Sequence, residues 1–182
     1  QSDGTELVTR MPGREQAANL ALALAAVERL DLKPDMARLG VALLDLTLPA
    51  RIEVFPGSPT VIVDGAHNPQ ALRRLAGFLG RTTPGARVTA IVAMMADKDC
   101  AANMEIIGRF GTQCLVTALP SARAADPADL VRLTGLSPEN ICPDPRTALA
   151  RARTTTPADG IIVVCGSFVL AGCLRAELLQ ES

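Results

Sequence analysis

The chain has 182 residues, of which 48% are hydrophobic and 20% are charged, so it can bury a core and has the composition of a globular protein. Eighteen basic and nineteen acidic side chains give a net charge of -1, and the sequence holds no Trp, no Tyr and four Phe. Without a basic field or aromatic stacking groups, nucleic acid and anionic membranes are disfavoured as partners.

The cysteines and the chain start bear on the cellular compartment. The five cysteines form no C-x-x-C pair and there is one histidine, so we expect no metal site. The first residues have neither the basic nor the apolar part of a secretion signal, and no apolar run reaches the roughly 18 residues of a membrane helix. These features favour a reduced, cytoplasmic location.

Two helices are predicted first along the chain. Apolar side chains recur at helical spacing between residues 14 and 30, after a Pro-Gly breaker. Pro34 suits the first position of a second helix that ends near residue 44. Because no strand pattern accompanies them, we expect residues 1–46 to be a helical remnant of a preceding domain and its linker.

From residue 47 onward, strand and helix patterns alternate. Strands at 51–55 and 60–64, joined by a Pro-Gly-Ser-Pro turn, predict an antiparallel pair. Further strands are predicted at 88–94, 114–117 and 161–165, with a weaker one near Ile141, and helices at 68–79, 100–110, 127–133, 146–152 and 168–179. The order predicts a three-layer α/β domain over 47–182, with a mostly parallel sheet of about six strands, one antiparallel edge strand and helices on both faces.

The loops at the carboxyl ends of such strands are where ligands bind, because backbone N–H groups and helix dipoles meet there. Asp64 and His67 lie in the loop that follows the second strand. A carboxylate can accept a ribose hydroxyl or hold a cation, and an imidazole can hydrogen-bond a phosphate or a carboxylate. The alternative is that Asp64 only caps the turn and His67 is a solvated loop residue.

Two further loops carry polar groups at the same kind of position. Lys98 follows the next strand and either contacts an anion or is solvated between Asp97 and Asp99, one of which caps the following helix. Ser167 follows the last strand and either offers its hydroxyl to an anionic ligand or caps the last helix.

Several nucleotide-binding and catalytic motifs are missing from the sequence. It contains no G-x-G, no lysine that follows a glycine and no G-x-S-x-G. The dinucleotide fingerprint, the Walker A loop and the hydrolase elbow all depend on these glycines. The chain by itself is therefore not expected to cradle a nucleoside triphosphate.

The motifs resemble those of one known family. Asp64-Gly65-Ala66-His67-Asn68-Pro69, preceded by Pro49-Ala50-Arg51-Ile52-Glu53, resembles the C-terminal domain of the folylpolyglutamate synthase and dihydrofolate synthase family, within the Mur ligase superfamily. Asp97-Lys98-Asp99 is similar to the family's D-K-D segment, and residues 166–172 are similar to its G-S-L-Y-L-x-G stretch. Residues 13–19 resemble the helix that ends the family's ATPase domain, with Glu15 where His is usual.

The resemblance implies part of an ADP-forming ligase, in which ATP activates a folate or dihydropteroate carboxylate as an acyl phosphate that the amino group of L-glutamate then attacks. It implies cofactor-binding roles for Arg51, Asp64 and His67, and catalytic roles for His67 and Ser167. It also implies that the P-loop and the Mg²⁺ ligands belong to an N-terminal ATPase domain of the same chain. The fragment alone is then expected to be inactive.

Two alternatives stay open at this point. A Mur ligase of peptidoglycan synthesis usually has D-Y-A-H-T-P, whereas this chain has Gly65 and Asn68. A non-catalytic α/β binding module that lost its ATPase half would keep the same fold. A G-x-x-x-x-G-K-[ST] loop upstream in the full reading frame would favour the enzyme.

Overall fold

The structure is a computed structural model that describes residues 7–181. The expected outer ends of the segments 1–46 and 47–182 lie outside the described residues. The helices are α1 (Arg14–Arg29), α2 (Met36–Asp45), α3 (Pro69–Thr82), α4 (Cys100–Phe110), α5 (Pro127–Thr134), α6 (Pro145–Thr155) and α7 (Phe168–Glu181), with a 3-10 turn at Pro138–Asn140. The strands are β1 (Glu53–Phe55), β2 (Thr60–Val63), β3 (Val88–Val92), β4 (Gln113–Thr117), β5 (Ile141–Cys142) and β6 (Ile161–Cys165).

The six strands form one sheet in the order β1-β2-β6-β3-β4-β5. The edge strand β1 runs antiparallel to β2, with Glu53 opposite Val63, and all other neighbours are parallel. The predicted fold class is therefore confirmed. The last strand, β6, lies between β2 and β3, which brings the loop after β6 next to the loops after those two strands.

Two apolar cores cover the two faces of the sheet. Along β2 the side chains alternate, so that Ile62 packs with α3, α4 and α5 on one face, while Val61 and Val63 pack with α6 and α7 on the other. Because both faces are buried, β6 is a continuous apolar run and β3 is apolar except for the buried Thr89, as is usual for parallel sheets. Each fully buried aliphatic side chain contributes about 1.5–3 kcal/mol.

Polar side chains start the helices of the α/β region. Asn68 caps α3 by accepting a hydrogen bond from the Ala71 N–H (2.9 Å), and Pro69 occupies the first helical turn. Asp99 caps α4 in the same way, through the Ala102 N–H (3.0 Å). These caps satisfy backbone donors that the helices leave unpaired, and they set where the loops end.

Helices α1 and α2 bury little of their apolar surface. Leu22 is 73% exposed, Leu30 is 70% exposed and Val41 is 65% exposed, whereas Leu43 is buried. The division into a remnant at 1–46 and a domain at 47–182 stays a prediction. Among the residues that the structure describes, no helix combines the length and the apolar character needed to cross a membrane.

Candidate functional site

Three loops meet at the carboxyl edge of the sheet, after β2, β3 and β6. The Gly166 N–H donates to the Ala66 carbonyl (2.7 Å), which ties the loop after β6 to the loop after β2. Gly166 has φ 99°, and a Cβ atom there would lie 2.6 Å from the Ala93 carbonyl oxygen. Only glycine can occupy this position without displacing the backbone that directly follows β3.

Asp64 connects two backbone segments at this edge. Its Oδ2 accepts from the Ile52 N–H (2.8 Å) and its Oδ1 from the Ala66 N–H (2.7 Å), and the residue is 7% exposed. Burial raises the pKa of Asp64, while the two backbone N–H groups and Arg51 act in the opposite direction. Asp64 therefore caps its turn and also holds the Arg51 segment, and its role in contacting a nucleotide stays a prediction.

Arg51 lies in a turn, and the residues before and after it both have a left-handed backbone conformation. Ala50 has φ 55° and Ile52 has φ 50°, a conformation that costs about 1–2 kcal/mol for each side-chain-bearing residue. The Gly65 N–H donates to the Ala50 carbonyl (2.8 Å), and the Asp64 carboxylate holds Ile52 from the other side. These contacts offset the strain and present the exposed Arg51 side chain at the edge of the sheet.

A salt bridge extends the support of this turn to the last helix. The Ala50 N–H donates to Glu53 Oε2 (3.0 Å), and Arg175 Nε of α7 donates to the same carboxylate (2.8 Å). Because both charged side chains are partly buried, this pair is screened less than a fully exposed one.

Phe168 contacts the side chains of two predicted site residues, Arg51 and His67. The Arg51 guanidinium carbon lies 5.0 Å from the centre of the Phe168 ring, and the His67 ring centre lies 5.4 Å from it. The first distance is within the range of a cation–π contact. A Cβ atom on Gly65 would come within 2.2 Å of the same ring, so the ring occupies the space that glycine leaves.

His67 is half-buried, and one of its two ring nitrogens is engaged. Nδ1 lies 2.8 Å from the Gly65 carbonyl oxygen. Because a carbonyl only accepts, Nδ1 carries the proton in this contact and Nε2 of the neutral ring is an acceptor. No described residue is hydrogen-bonded to Nε2, which leaves it for a ligand.

Ser167 and Lys98 share a cavity with His67. Its volume is about 160 Å³, and its other lining residues are Met95, Gly166, Phe168 and Val169. The buried Ser167 Oγ accepts from the Val169 N–H (3.0 Å) as a cap of α7, which leaves its hydroxyl proton free to donate. Capping and ligand contact are therefore compatible at Ser167, and its catalytic role stays a prediction.

Lys98 is partnered by the residue before it. Its Nζ lies 3.2 Å from Asp97 Oδ2, and Arg123 contacts the same oxygen at 3.5 Å. The hydrogen bond from Lys98 lowers the pKa of Asp97. Asp99 is the residue that caps α4, so Lys98 is held by Asp97 at the mouth of the cavity.

Asn103 is a buried polar residue near this edge that the sequence analysis did not single out. It lies in α4 with no exposed surface, and its Nδ2 donates to the His67 backbone carbonyl (3.1 Å). Its Oδ1 has no hydrogen-bond partner, which costs about 1–3 kcal/mol for a buried acceptor. The sequence did contain an indication of this residue: Asn103 is an amide side chain among the apolar residues of the helix, which include Met104 and Ile107.

Two of the five cysteines, Cys114 and Cys165, are buried thiols whose ionisation is suppressed. Burial raises the pKa of Cys114 to about 12 and holds that of Cys165 well above the ordinary thiol value. Within residues 7–181, no group of three or more His, Cys, Asp or Glu side chains could hold a metal ion.

The fold and the carboxyl edge of the sheet together define a class of protein. It is a mostly parallel α/β domain whose loops present a guanidinium (Arg51), an imidazole (His67) and a hydroxyl (Ser167) at the carboxyl edge of the sheet. A family model, Mur ligase, glutamate ligase domain, matches residues 50–168, which is more than half of the chain. The chain belongs to this family.

Similar proteins are found among curated sequences and solved structures. A dihydrofolate synthase/folylpolyglutamate synthase of Escherichia coli is 31% identical over 154 residues, and a folylpolyglutamate synthase of Lacticaseibacillus casei is 30% identical over 182 residues. The matches cover 82% and 96% of this chain but only 35% and 41% of those proteins.

The structural neighbours agree with the sequence relatives. A folylpolyglutamate synthase of Mycobacterium tuberculosis complexed with ADP matches with a TM-score of 0.85 and 26% identity, over 96% of this chain and 42% of that one. FolC of E. coli in complex with DHPP and ADP matches with a TM-score of 0.83 and 26% identity, over 97% of this chain and 42% of that one.

Proposed function

We propose that this chain is the C-terminal domain of an ATP-dependent, ADP-forming ligase that adds L-glutamate to a folate or dihydropteroate through an acyl phosphate. The proposal is supported by the family and by the names of the relatives. A cytoplasmic location goes with it, because the reaction consumes ATP.

The observation that carries the proposal is the grouping of Arg51, His67 and Ser167 at one edge of the sheet. An acyl phosphate and its leaving phosphate concentrate negative charge, which a guanidinium and a hydroxyl donor can stabilise. An amine that attacks a carbonyl must lose a proton, and Nε2 of His67, whose other ring nitrogen contacts the Gly65 carbonyl, can accept a hydrogen bond from it when Nε2 carries no proton. Each chemical requirement is met by one of the three residues.

The residues of this chain fit the phosphate part of ATP but not its metal. Arg51 is exposed and held by a strained, well-supported turn, as a phosphate-contacting arginine needs to be. Both Asp64 oxygens already accept backbone N–H groups, which makes this carboxylate a poor ligand for Mg²⁺. We therefore assign the Mg²⁺ ligands and the P-loop to an N-terminal ATPase domain of the same chain.

Helices α1 and α2 supply the surface that this N-terminal domain would cover. Leu22 in α1, Leu30 directly after it and Val41 in α2 are exposed in the described chain, and clustered exposed apolar side chains are typical of a contact surface. The proposal makes them part of an interface within the parent protein.

The test uses the intact parent protein, expressed from the full reading frame. We expect ADP release that requires ATP, L-glutamate and a folate or dihydropteroate together, with a product heavier by one glutamate residue. An Arg51→Ala variant should lose about 10²-fold or more in turnover, by analogy with removal of one preorganised donor. Arg132→Ala, a change in an exposed arginine of α5, is the matched control and should keep wild-type turnover. An intact protein that contains an upstream P-loop and releases no ADP with all three substrates would contradict the proposal.

A further inference from the structure

We propose that Asn103 is a positioning residue that holds His67 in place at the carboxyl edge of the sheet. The inference rests on the proposed function, because that function gives His67 a reason to be held. It assigns a role to a residue that lies outside every motif of the sequence.

The geometry starts from one long-range hydrogen bond. Asn103 Nδ2 donates to the backbone carbonyl of His67 across 36 positions of sequence, at 3.1 Å, and lies 3.8 Å from Met94 Sδ. Because a backbone carbonyl only accepts, the amide nitrogen must face His67. The amide oxygen then faces the protein interior, where it has no partner.

The unpaired amide oxygen of Asn103 lowers the stability of the fold, so stability does not explain an asparagine at this position. Asn103 has no exposed surface, and its helix neighbours Met104 and Ile107 are buried apolar residues. Within residues 7–181, Asn103 Oδ1 is the one buried side-chain nitrogen or oxygen without a hydrogen-bond partner. An apolar side chain at this position would leave no unpaired oxygen in the interior. The feature that an asparagine adds is its hydrogen bond to the His67 carbonyl.

The bond completes the fixation of His67. The ring is held by the Nδ1 contact to the Gly65 carbonyl and by Phe168, and the backbone is held by Asn103. Since Asn103 belongs to α4, which begins after the Lys98 loop, it also links two loops that line the same cavity. Loss of the bond should let the His67 loop shift while the sheet stays intact.

The single histidine of the sequence makes the test direct. The imidazole carbon-bound protons of the tag-free 182-residue chain give one set of NMR signals, whose positions depend on the nearby Phe168 ring. We would record them for wild type and for Asn103→Leu, which removes both the bond and the orphaned oxygen. Asn103→Ala is the second variant, because it adds no volume. The matched control is Asn140→Leu, since Asn140 Nδ2 also donates to a backbone carbonyl, that of Cys114 (2.9 Å), away from the His67 cavity.

We expect both Asn103 variants to keep the circular dichroism spectrum of the wild type and to lose the Phe168-induced shift of the imidazole signals. Asn140→Leu should lower the melting temperature and leave those signals in place. Wild-type imidazole signals in Asn103→Leu would overturn the proposal, and so would an equal displacement in Asn140→Leu. If both Asn103 variants unfold while Asn140→Leu folds, Asn103 is a structural residue and the proposal is wrong.

A second measurement connects the position of His67 to activity. In the intact parent, Asn103→Leu should lower kcat by about 10²-fold, as a small misplacement of a reacting group does, with KM for ATP unchanged. Unchanged kcat would overturn the positioning role in catalysis. A wild-type parent without ligase activity would contradict the proposed function instead, and the NMR comparison would still decide whether Asn103 holds His67.

Discussion

At the scale of single residues, the carboxyl edge consists of side chains that are each held by a neighbour. His67 is bonded to the Gly65 carbonyl, Asp64 to two backbone N–H groups, and Ser167 to the Val169 N–H. For Asp64 and Ser167 the capping alternative describes the observed hydrogen bonds. The His67 ring is half-buried against Phe168, which differs from a freely solvated loop imidazole.

Replacement of His67 by alanine in the intact parent separates catalysis from stability. We expect a loss of transition-state stabilisation of about 2–4 kcal/mol, which is a fall in turnover of about 30-fold or more, because one preorganised group is removed. The free energy of unfolding should change by about 1 kcal/mol or less, because the side chain is half-buried in a loop. Steady-state kinetics with L-glutamate as the varied substrate, run beside a melting curve, measures both. Unchanged kcat and kcat/KM would remove His67 from the site, and loss of both activity and fold would make it a structural histidine.

The raised pKa of Asp64 leads to a pH-dependent difference between wild type and Asp64→Asn. A carboxyl group whose pKa is higher in the folded state binds its proton more tightly there, so its contribution to stability is present below its unfolded pKa of 3.8 and is lost as pH rises through the folded value. Asparagine does not titrate, so the difference between the two proteins reports Asp64 alone. We expect the wild type to gain stability relative to Asp64→Asn between about pH 7 and about pH 4.

Urea unfolding of both proteins at a series of pH values measures this difference. Asp144→Asn is the matched control, because its backbone and side-chain hydrogen bonds to Thr147 lower the pKa of that carboxyl. The wild type should therefore keep a constant difference from Asp144→Asn while the pH stays well above the unfolded value of 3.8, and should lose stability relative to it only as the pH falls below that value. A constant difference for Asp64→Asn would show that its pKa is the same in the folded and unfolded states.

At the scale of secondary-structure elements, most boundaries follow from local chemistry. Caps and Pro residues start α3 and α6, and runs of mainly apolar residues produce β2, β3 and β6. The alternating pattern placed the first strand from residue 51, but it begins at Glu53. Ile52 is a β-branched residue that favours strands, yet it adopts a left-handed turn because the Asp64 carboxylate binds its N–H.

Helix α1 is expected to be less protected than the elements of the sheet. Its apolar side chains pack on little of the described chain, and Leu22 is 73% exposed. In hydrogen exchange of the isolated chain, amides 20–27 should therefore exchange faster than amides 61–63. Helix α3, which buries Leu72, Leu75 and Leu79, is the matched helical control and should exchange slowly. Equal protection of α1 and β2 in a chain shown by light scattering to be monomeric would contradict this expectation.

At the scale of the whole molecule, the chain matches about two fifths of the length of its relatives. Its carboxyl edge has an arginine, an imidazole and a hydroxyl, but no Walker A loop occurs in the sequence. This chain would therefore supply only some of the groups that bind a nucleotide, without the phosphate cradle of a Walker A loop.

The isolated chain should bind Mg-ATP weakly or not at all and should have no ligase activity. The reason is that a phosphate cradle and metal ligands supply most of the affinity for a nucleoside triphosphate. Calorimetric titration with Mg-ATP is the measurement, and the intact parent under the same conditions is the positive control. Micromolar affinity in the isolated chain would contradict the prediction.

Local patterns in the sequence were sufficient to predict the elements, the parallel sheet with one antiparallel edge, and the loops that carry Asp64, His67, Lys98 and Ser167. The reason is that hydrophobic period, capping residues and turn residues act within a few positions of the chain. These rules also place the loops of a parallel sheet at the carboxyl ends of its strands.

The tertiary structure alone decided how those loops are arranged around one another. The position of β6 between β2 and β3 brings Phe168 against both Arg51 and His67, and it gives Gly65 its steric requirement. The bond from Asn103 to His67 likewise joins residues 36 positions apart. Such contacts depend on strand order and on packing summed over the whole core, and a local pattern of residue types contains neither.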